Sequence, residues 1–215
     1  MELKDIFLYR MTHIKNIPHT LRHGITHKNS PNANPDYVDI GDMSLISTRN
    51  TKKVYINHGD LEGSRILLGD FIPFYLGVKM PMLYVVQCGG NFVEKPTPPS
   101  DIIYLVCPIL KVIRVQNNYY YTNGHATESF TSFFDKSMIN ELPEQVNWQA
   151  ITAKYWGGDD NLTLKWQKQA EFLAENDIPP HLITNFGCYN DSAKNKLTEI
   201  GVDASTIKII PNAYY

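Results

Sequence analysis

The apolar positions of this chain fall into short runs of differing period, separated by stretches rich in Pro, Gly and Asn. The opening run FLYRMTHI (Phe7 to Ile14) reads as a short strand. Asn16-Ile17-Pro18 then offers a cap and an early-helix proline, Leu21 an apolar contact, and Gly24 a stop, which together predict a short helix. HKNSPNANPD, beginning at His27, is a loop by its Asn, Pro and Ser content. VDIGDMSLISTRN (Val38 to Asn50) is too polar for a central strand and too irregular to predict a helix. A second loop, NHGDLEGS, leads into the apolar run from Leu68 to Gly90. Pro73 and Pro81 interrupt that run, so MLYVVQ (Met82 to Gln87) is predicted as a strand and the part before it as an irregular wall. DIIYLVCPIL, from Asp101, reads as a buried strand by its length and β-branching. VIRVQ (Val112 to Gln116) and YYYT (Tyr119 to Thr122) read as a strand pair turning at Gln116-Asn117-Asn118. The Glu141 to Trp166 stretch contains helix. In the last third, ITNFGCY reads as a strand, NDSAKNKLTEIG as a capped helix ending at Gly201, and STIKIIPN as a final strand. Strands and helices mix without regular βαβ alternation, so the predicted class is α+β.

At 215 residues the chain fits a single domain, and its 43% hydrophobic content can fill a substantial core. Twenty basic residues against twenty-two acidic ones exclude a histone-like blanket of positive charge, although not a local basic groove. No stretch approaches the ~20 apolar residues of a membrane span. The N-terminus, with Glu2, Lys4 and Asp5, does not read as a signal peptide. Three distant cysteines (Cys88, Cys107 and Cys188) without a CxxC pair fit a reducing cytoplasm. The thirteen tyrosines exceed what a core requires and favour a binding or stacking surface.

Candidate chemistry is sparse. His19, His23 and His27 are spaced by four, as metal ligands on a helix would be, but Gly24 ends that helix and no carboxylate or cysteine completes a shell, so no metal site is expected. Neither GxGxxG nor GxxxxGK[ST] occurs, which removes the Rossmann and P-loop ways of holding phosphate. There is no GxSxG, and Cys107 reads as a core residue. The informative carboxylate is Glu171: it lies between Lys165-Trp166-Gln167-Lys168 and Phe172-Leu173, at an expected solvent–core boundary. Arg49, in Ser47-Thr48-Arg49-Asn50, reads equally as a functional or a solvated arginine.

Seven segments, in order along nearly the whole chain, resemble the DarT family of toxin DNA ADP-ribosyltransferases. They are Tyr9 to Gly24 with its Thr-His-x-x-Asn-Ile core, Ile40-Gly41 followed by Arg49, Gly69 to Tyr75, Pro81 to Tyr84, Ile102 to Val106, Tyr121 to Ala126, and Gln169 to Leu173. The resemblance implies an ADP-ribosyltransferase-like fold of central mixed and antiparallel sheets flanked by helices, in one domain spanning 1–215. It implies NAD as co-substrate, with no metal, and a base in single-stranded DNA as acceptor. It also groups the chain with glycosyltransferases and nucleotidyltransferases. Position by position, Glu171 and Arg49 would be catalytic. His13, Ile14, Lys15, Gly24 and Arg49 would contact the dinucleotide, and Tyr75, Met82, Asn123 and His125 the DNA. A loop from about 34 to 49 would fold over NAD, and a loop within about 119–171 would present the DNA.

In that reading Glu171 stabilises the charge that develops on the ribose and takes a proton from the attacking base nitrogen. Arg49 is a clamp on phosphate or a group that orients NAD and the incoming base, since an arginine does not serve as a base. Tyr84, Tyr119, Tyr120 and Tyr121 would offer stacking faces, and Lys79, Lys111, Arg114, Lys165 and Lys168 phosphate contacts. The family also implies a cytoplasmic toxin with an antitoxin partner whose hydrolase domain removes ADP-ribose from DNA. Thymine and guanine both stay open as target base: Thr48-Arg49, Gly77 to Leu83 and Asn123-Gly124 depart from better-known members. A protein or RNA acceptor, or an inactive NAD- or nucleic-acid-binding module, are the rival readings.

Overall fold

A computed structural model describes residues 1–90, 93 and 95–215. Its strands are β1 (Phe7–His13), β2 (Lys53–Tyr55), β3 (Arg65–Leu67), β4 (Ile72–Tyr75), β5 (Ile102–Pro108), β6 (Tyr119–Thr122), β7 (Phe133–Asp135), β8 (Glu171–Ala174), β9 (Asn185–Cys188) and β10 (Ile207–Ile209). The helices are α1 (Ile17–His23), α2 (Met43–Thr51), α3 (Pro81–Cys88), α4 (Ile109–Val112), α5 (Leu142–Gln145), α6 (Trp148–Thr152), α7 (Leu162–Lys168) and α8 (Asp191–Ile200). Among the described residues, eight strands form one sheet in the order β10-β9-β5-β1-β4-β8-β6-β7, and β2–β3 pair separately. Every adjacent pair in the large sheet is antiparallel except β9–β10. The mixed sheet flanked by helices is the α+β architecture expected from the sequence.

β5 reads as an unbroken apolar run because both its faces are covered. Ile103, Leu105 and Cys107 enter the main core, while Ile102 and Tyr104 pack with Leu83, Val86 and Tyr214 on the opposite side. In β8 the same alternation separates Phe172 and Ala174, in the main core, from Glu171 and Leu173 on the other face. The helix ending at Gly24 forms as expected, with Gly24 at φ 79° closing it.

Three expectations are overturned. MLYVVQ is helical, not extended. Pro81 sits at the first helical turn after extended Met80, Gly89 at φ 75° ends the helix, and Leu83 and Val86 turn inward at a spacing of three. A short run bounded by Pro and Gly fits either period, and the β-branched Val85-Val86 misled the reading. The wall before it is β4, a central strand. It tolerates Pro73 because β1 and β4 pair only at Tyr9↔Tyr75, and the gap is filled by Arg10, whose Nη1 donates to the Pro73 carbonyl at 2.9 Å. VIRVQ is the end of α4 and a turn. Gln116 there exchanges two hydrogen bonds with the Asn176 backbone, at 3.1 and 2.7 Å.

The stretch Val38 to Asn50, for which no helix was predicted, contains α2. Asp42 caps it, accepting from the backbone N–H groups of Ser44 (2.9 Å) and Leu45 (3.2 Å). None of its residues is fully buried, which is why it lacks an apolar stripe. Among the described residues, no helix is long and apolar enough to cross a membrane.

Candidate active site

Register brings three distant residues into one row. Tyr9 on β1 pairs with Tyr75 on β4, and Tyr75 pairs with Glu171 on β8, so the three side chains share the sheet face opposite Leu8, Phe74 and Phe172. Above that row lies α2, which delivers Arg49. The helix approaches closely because residue 69 has no side chain: a Cβ on Gly69 would meet the Asn50 Cα at 2.8 Å and the Arg49 carbonyl oxygen at 3.1 Å.

Arg49 Nη1 lies 2.9 Å from Glu171 Oε2 and donates to Oε1 at 3.2 Å, with the two side chains 15% and 3% exposed. Ala126 N–H also donates to Oε1, at 3.2 Å. The loop that supplies this amide is folded around Thr122. Its hydroxyl accepts from the Glu171 N–H at 2.9 Å and donates to the Gly124 carbonyl at 2.7 Å. Trp166 packs where a Gly124 side chain would be and accepts the His125 N–H at its carbonyl, 3.1 Å away. Among the described residues, Arg49 Nη2 and Glu171 Oε2 are the buried side-chain polar atoms without a hydrogen-bond partner. Glu171 Oε2 is matched by the Arg49 charge at 2.9 Å, so Arg49 Nη2 is the donor of the pair left for a polar ligand.

The cavity has a volume of about 390 Å³, within the roughly 300–1,000 Å³ of small-molecule sites. Its cover is the segment from Thr26 to Asp42, and two anchors, buried Asn16 and half-buried Asp177, fix that segment. Asn16, at the start of α1, exchanges two hydrogen bonds with the Val38 backbone, both at 2.9 Å, and bonds the Thr12 hydroxyl at 3.0 Å. Asp177, just after β8, accepts from His27 N–H at 2.7 Å and from the Ser30 hydroxyl at 2.5 Å. His27 bridges to the Gly69 carbonyl through Nε2 (2.8 Å) and accepts the Asn29 N–H at Nδ1 (3.1 Å). Lys28 reaches the Asn50 side chain on α2.

The expected loop from 34 to 49 is therefore half helix, its later part being α2. The span 119–171 is likewise built largely of β6, β7 and the helices α5 to α7, with Asn123 to Ser132 as an irregular part of it.

Of the residues singled out from the sequence, Glu171, Arg49, Tyr75, Met82 and His125 line the cavity. His13, Ile14 and Lys15 do not. His13 Nδ1 accepts the Lys15 N–H at 3.1 Å, Ile14 is in the core, and Lys15 is exposed. β1 meets the cavity earlier along the strand, through Tyr9, Arg10 and Met11, which lie in the first matched segment but were given no site role. Gly24 lies outside the main cavity as well, lining a small hollow beside it and packed so closely on Ile178 that a Cβ would meet its carbonyl oxygen at 1.9 Å. Asn123 is turned into its own loop, where Oδ1 accepts the Ser132 N–H at 3.0 Å. Tyr119, Tyr120 and Tyr121 are buried on β6 and present no stacking face, because both faces of that strand are covered. Lys168 is 1% exposed and donates to the Ile151 carbonyl at 2.7 Å, so it does not face phosphate. Burial, with the nearby Lys79 charge, pushes its amine down to about 8.

Electrostatics follow from enclosure. Burial and then the Glu171 carboxylate push the Tyr75 phenol far above its usual range, so it stays a proton donor. Burial and the Arg49 charge hold His125 below the ordinary histidine value, against the upward pull of Glu171. Among the described residues, no group of three or more His, Cys, Asp or Glu could hold a metal ion.

A mixed sheet carrying a buried carboxylate–guanidinium pair at a covered cavity is the build of an enzyme that encloses a polar ligand, and solved structures carry the comparison to the ADP-ribosyltransferases. Thermus sp. 2.9 DarT in complex with ADP-ribosylated ssDNA matches with a TM-score of 0.81 and 27% identity, over 97% of this chain and 96% of that one. The same protein in complex with NAD+ matches with a TM-score of 0.76 and 26% identity, over 97% of each chain. By sequence, the DNA ADP-ribosyl transferase of Thermus sp. (strain 2.9) is 31% identical over 195 residues, 90% of this chain and 86% of its own length. That of Escherichia coli O127:H6 is 26% identical over 193 residues, 89% of this chain and 84% of its own length. The family model described as "ssDNA thymidine ADP-ribosyltransferase, DarT" matches residues 9–215, and the chain belongs to this family. Its enzyme class is accordingly NAD-dependent ADP-ribosyl transfer to DNA, as the sequence led us to expect.

Proposed function

We propose that this chain is the toxin of a toxin–antitoxin pair, transferring ADP-ribose from NAD+ to thymine in single-stranded DNA. The observation that carries the catalytic part is the buried Glu171–Arg49 pair lining the cavity, with Arg49 Nη2 left without a hydrogen-bond partner. NAD+ supplies the leaving group and the electrophile: as the nicotinamide–ribose bond breaks, nicotinamide keeps the bonding electrons and positive charge develops on the ribose. Glu171 holds a fixed negative charge beside that centre, in a site where little water competes. Arg49 and the Ala126 amide keep the carboxylate in one orientation. When the base nitrogen bonds to the ribose, its proton passes to Glu171. Arg49 Nη2 remains available to donate to the donor or to a base carbonyl. The reaction is a pentosyl transfer. Grouping with nucleotidyltransferases, implied above, has no support, since no phosphorus is attacked.

Tyr75, Met82 and His125 would border the acceptor base, with neutral His125 and the Tyr75 phenol as hydrogen-bonding groups. A base already free of a duplex enters such a pocket at least cost, which favours single strands. Thymine is proposed because it is the base named for the family that matches residues 9–215. An adduct on a template base blocks its pairing edge, and the toxic outcome is arrested replication in the cytoplasm. The antitoxin is proposed from a relative in Thermosipho africanus, named a DNA ADP-ribosyl transferase-DNA ADP-ribosyl glycohydrolase fusion protein, which is 25% identical over 95% of this chain and 48% of its own length.

Mass spectrometry of short single-stranded oligonucleotides, each enriched in one base, after incubation with the protein and NAD+ tests the reading. A gain of one ADP-ribose on thymine-containing strands, absent with Glu171→Ala, is expected. The gain on guanine instead would move the target base, and NAD+ consumption without modified DNA would move the acceptor to protein or RNA.

A further inference from the structure

The cavity that would take a dinucleotide must meet two negative charges on its pyrophosphate. Among the described residues, the basic side chains lining it are Arg10, His27, Lys28, Arg49 and His125. Four of them are already engaged. His125, which burial holds below the ordinary histidine value, is bonded through Nδ1 to the Thr127 hydroxyl at 3.0 Å. The Arg49 charge is matched by Glu171 at 2.9 Å. Both ring nitrogens of His27 are bonded to backbone, and Lys28 is exposed and bonded to Asn50. Arg10 differs: like Lys28 it makes no ion pair among the described residues, but it is half-buried where Lys28 is exposed, and of its five N–H donors one Nη1 bond, to the Pro73 carbonyl, is formed. That bond fixes the guanidinium against the gap between β1 and β4, where Pro73 has no N–H to give to a ladder.

Arg10 also has a distinctive position. It lines both the main cavity and a hollow of about 30 Å³ adjoining it, which Thr26, Asn34 and Tyr37 share. This end lies between β1 and the covering segment pinned by Asn16 and Asp177. This end is covered by a segment anchored at two places, which suits a ligand that ends there, as a dinucleotide can.

We propose that Arg10 is a donor-binding residue of this enzyme, its guanidinium gripping the pyrophosphate of the dinucleotide while Arg49 stays committed to Glu171. The assignment rests on the donor reading given above and moves the phosphate-clamp role, expected of Arg49 from the sequence, to β1. A planar fork suits two phosphate oxygens better than a point charge does.

Calorimetric titration of ADP and of adenosine into wild type, Arg10→Gln and Arg10→Lys tests it, with a melting curve for each variant. Adenosine carries the same base and ribose without phosphate. Arg10→Gln is expected to weaken ADP about ten- to hundred-fold, the range for losing hydrogen bonds to a charged group, and to leave adenosine within about two-fold. Arg10→Lys is expected to fall between wild type and Arg10→Gln for ADP. Equal loss of ADP and adenosine, or ADP binding unchanged in Arg10→Gln, overturns the proposal. Unchanged ADP binding together with weakened binding of a single-stranded oligonucleotide assigns Arg10 to the DNA phosphodiester instead. A wild-type protein that binds neither NAD+ nor ADP overturns the donor reading itself, and this proposal with it.

Discussion

The Glu171–Arg49 pair makes a quantitative prediction about stability, independent of turnover. Replacing Arg49 by Met keeps much of the side-chain volume and removes the charge that compensates a carboxylate only 3% exposed. The carboxylate would keep one backbone donor, the Ala126 N–H at 3.2 Å. Removing one partner of a buried pair costs about 3–5 kcal/mol. Here Arg49 is 15% exposed and the pair faces a cavity that water can enter, so the lower end applies, about 3 kcal/mol. For a domain of this size that lowers Tm by roughly 6–12 °C. Glu171→Gln removes the charge instead, leaving the more exposed guanidinium, and costs about 1 kcal/mol. The double variant has neither buried charge and is expected to be more stable than Arg49→Met alone, giving a coupling of about 2 kcal/mol. Urea melts followed by tryptophan fluorescence measure all four corners, with the slope unchanged as the check that only stability has moved. An Arg49→Met cost under about 1 kcal/mol, or effects that add to within about 0.5 kcal/mol, would refute the claim that the two charges hold each other in place.

Thr122→Val strips the hydroxyl that bridges the Glu171 N–H and the Gly124 carbonyl in a fully buried place; it is expected to cost about 2–4 kcal/mol and to lower kcat, with Thr122→Ser retaining both, as melting curves and transfer rates would reveal. Gly69→Ala sets a Cβ 2.8 Å from the Asn50 Cα, so α2 must back away and carry Arg49 with it; a loss of transfer of ten-fold or more is expected in a protein that still melts cooperatively. Burial holds the folded-state value of His125 below its unfolded one, so the unfolded chain binds the proton first; its contribution to stability is complete above about pH 6.5 and is lost as pH falls through the folded value. His13 and His19 are lowered by burial with the same sign, so the His125 share is the difference between wild type and His125→Gln, read by urea melts at pH 7.5 and 5.5.

The lesson of the sequence lies in particular elements. The strand over Phe7–His13, the helix closed by Gly24, the buried β5 and the final strand–helix–strand were legible because each carries its own local signal: alternation, an early proline, a left-handed glycine. Chemistry-bearing residue types with an ordered set of motifs pointed to the family and to Glu171 and Arg49. Three things were not legible. The sequence carries no mark of the ion pair, since its partners lie 122 positions apart and meet only because β8 lies beside β4 while α2 is pulled down over Gly69. α2 itself buries none of its residues fully and so has no period to read. Tyr119, Tyr120 and Tyr121 looked like a stacking surface, yet β6 lies between β8 and β7 with both faces covered, so the rings became core. Local sequence fixes what a segment can be, through backbone preference and side-chain period. Which face is covered, which charge finds which, and that Arg10 rather than His13 meets the cavity were decided by strand order and register, which are properties of the whole chain.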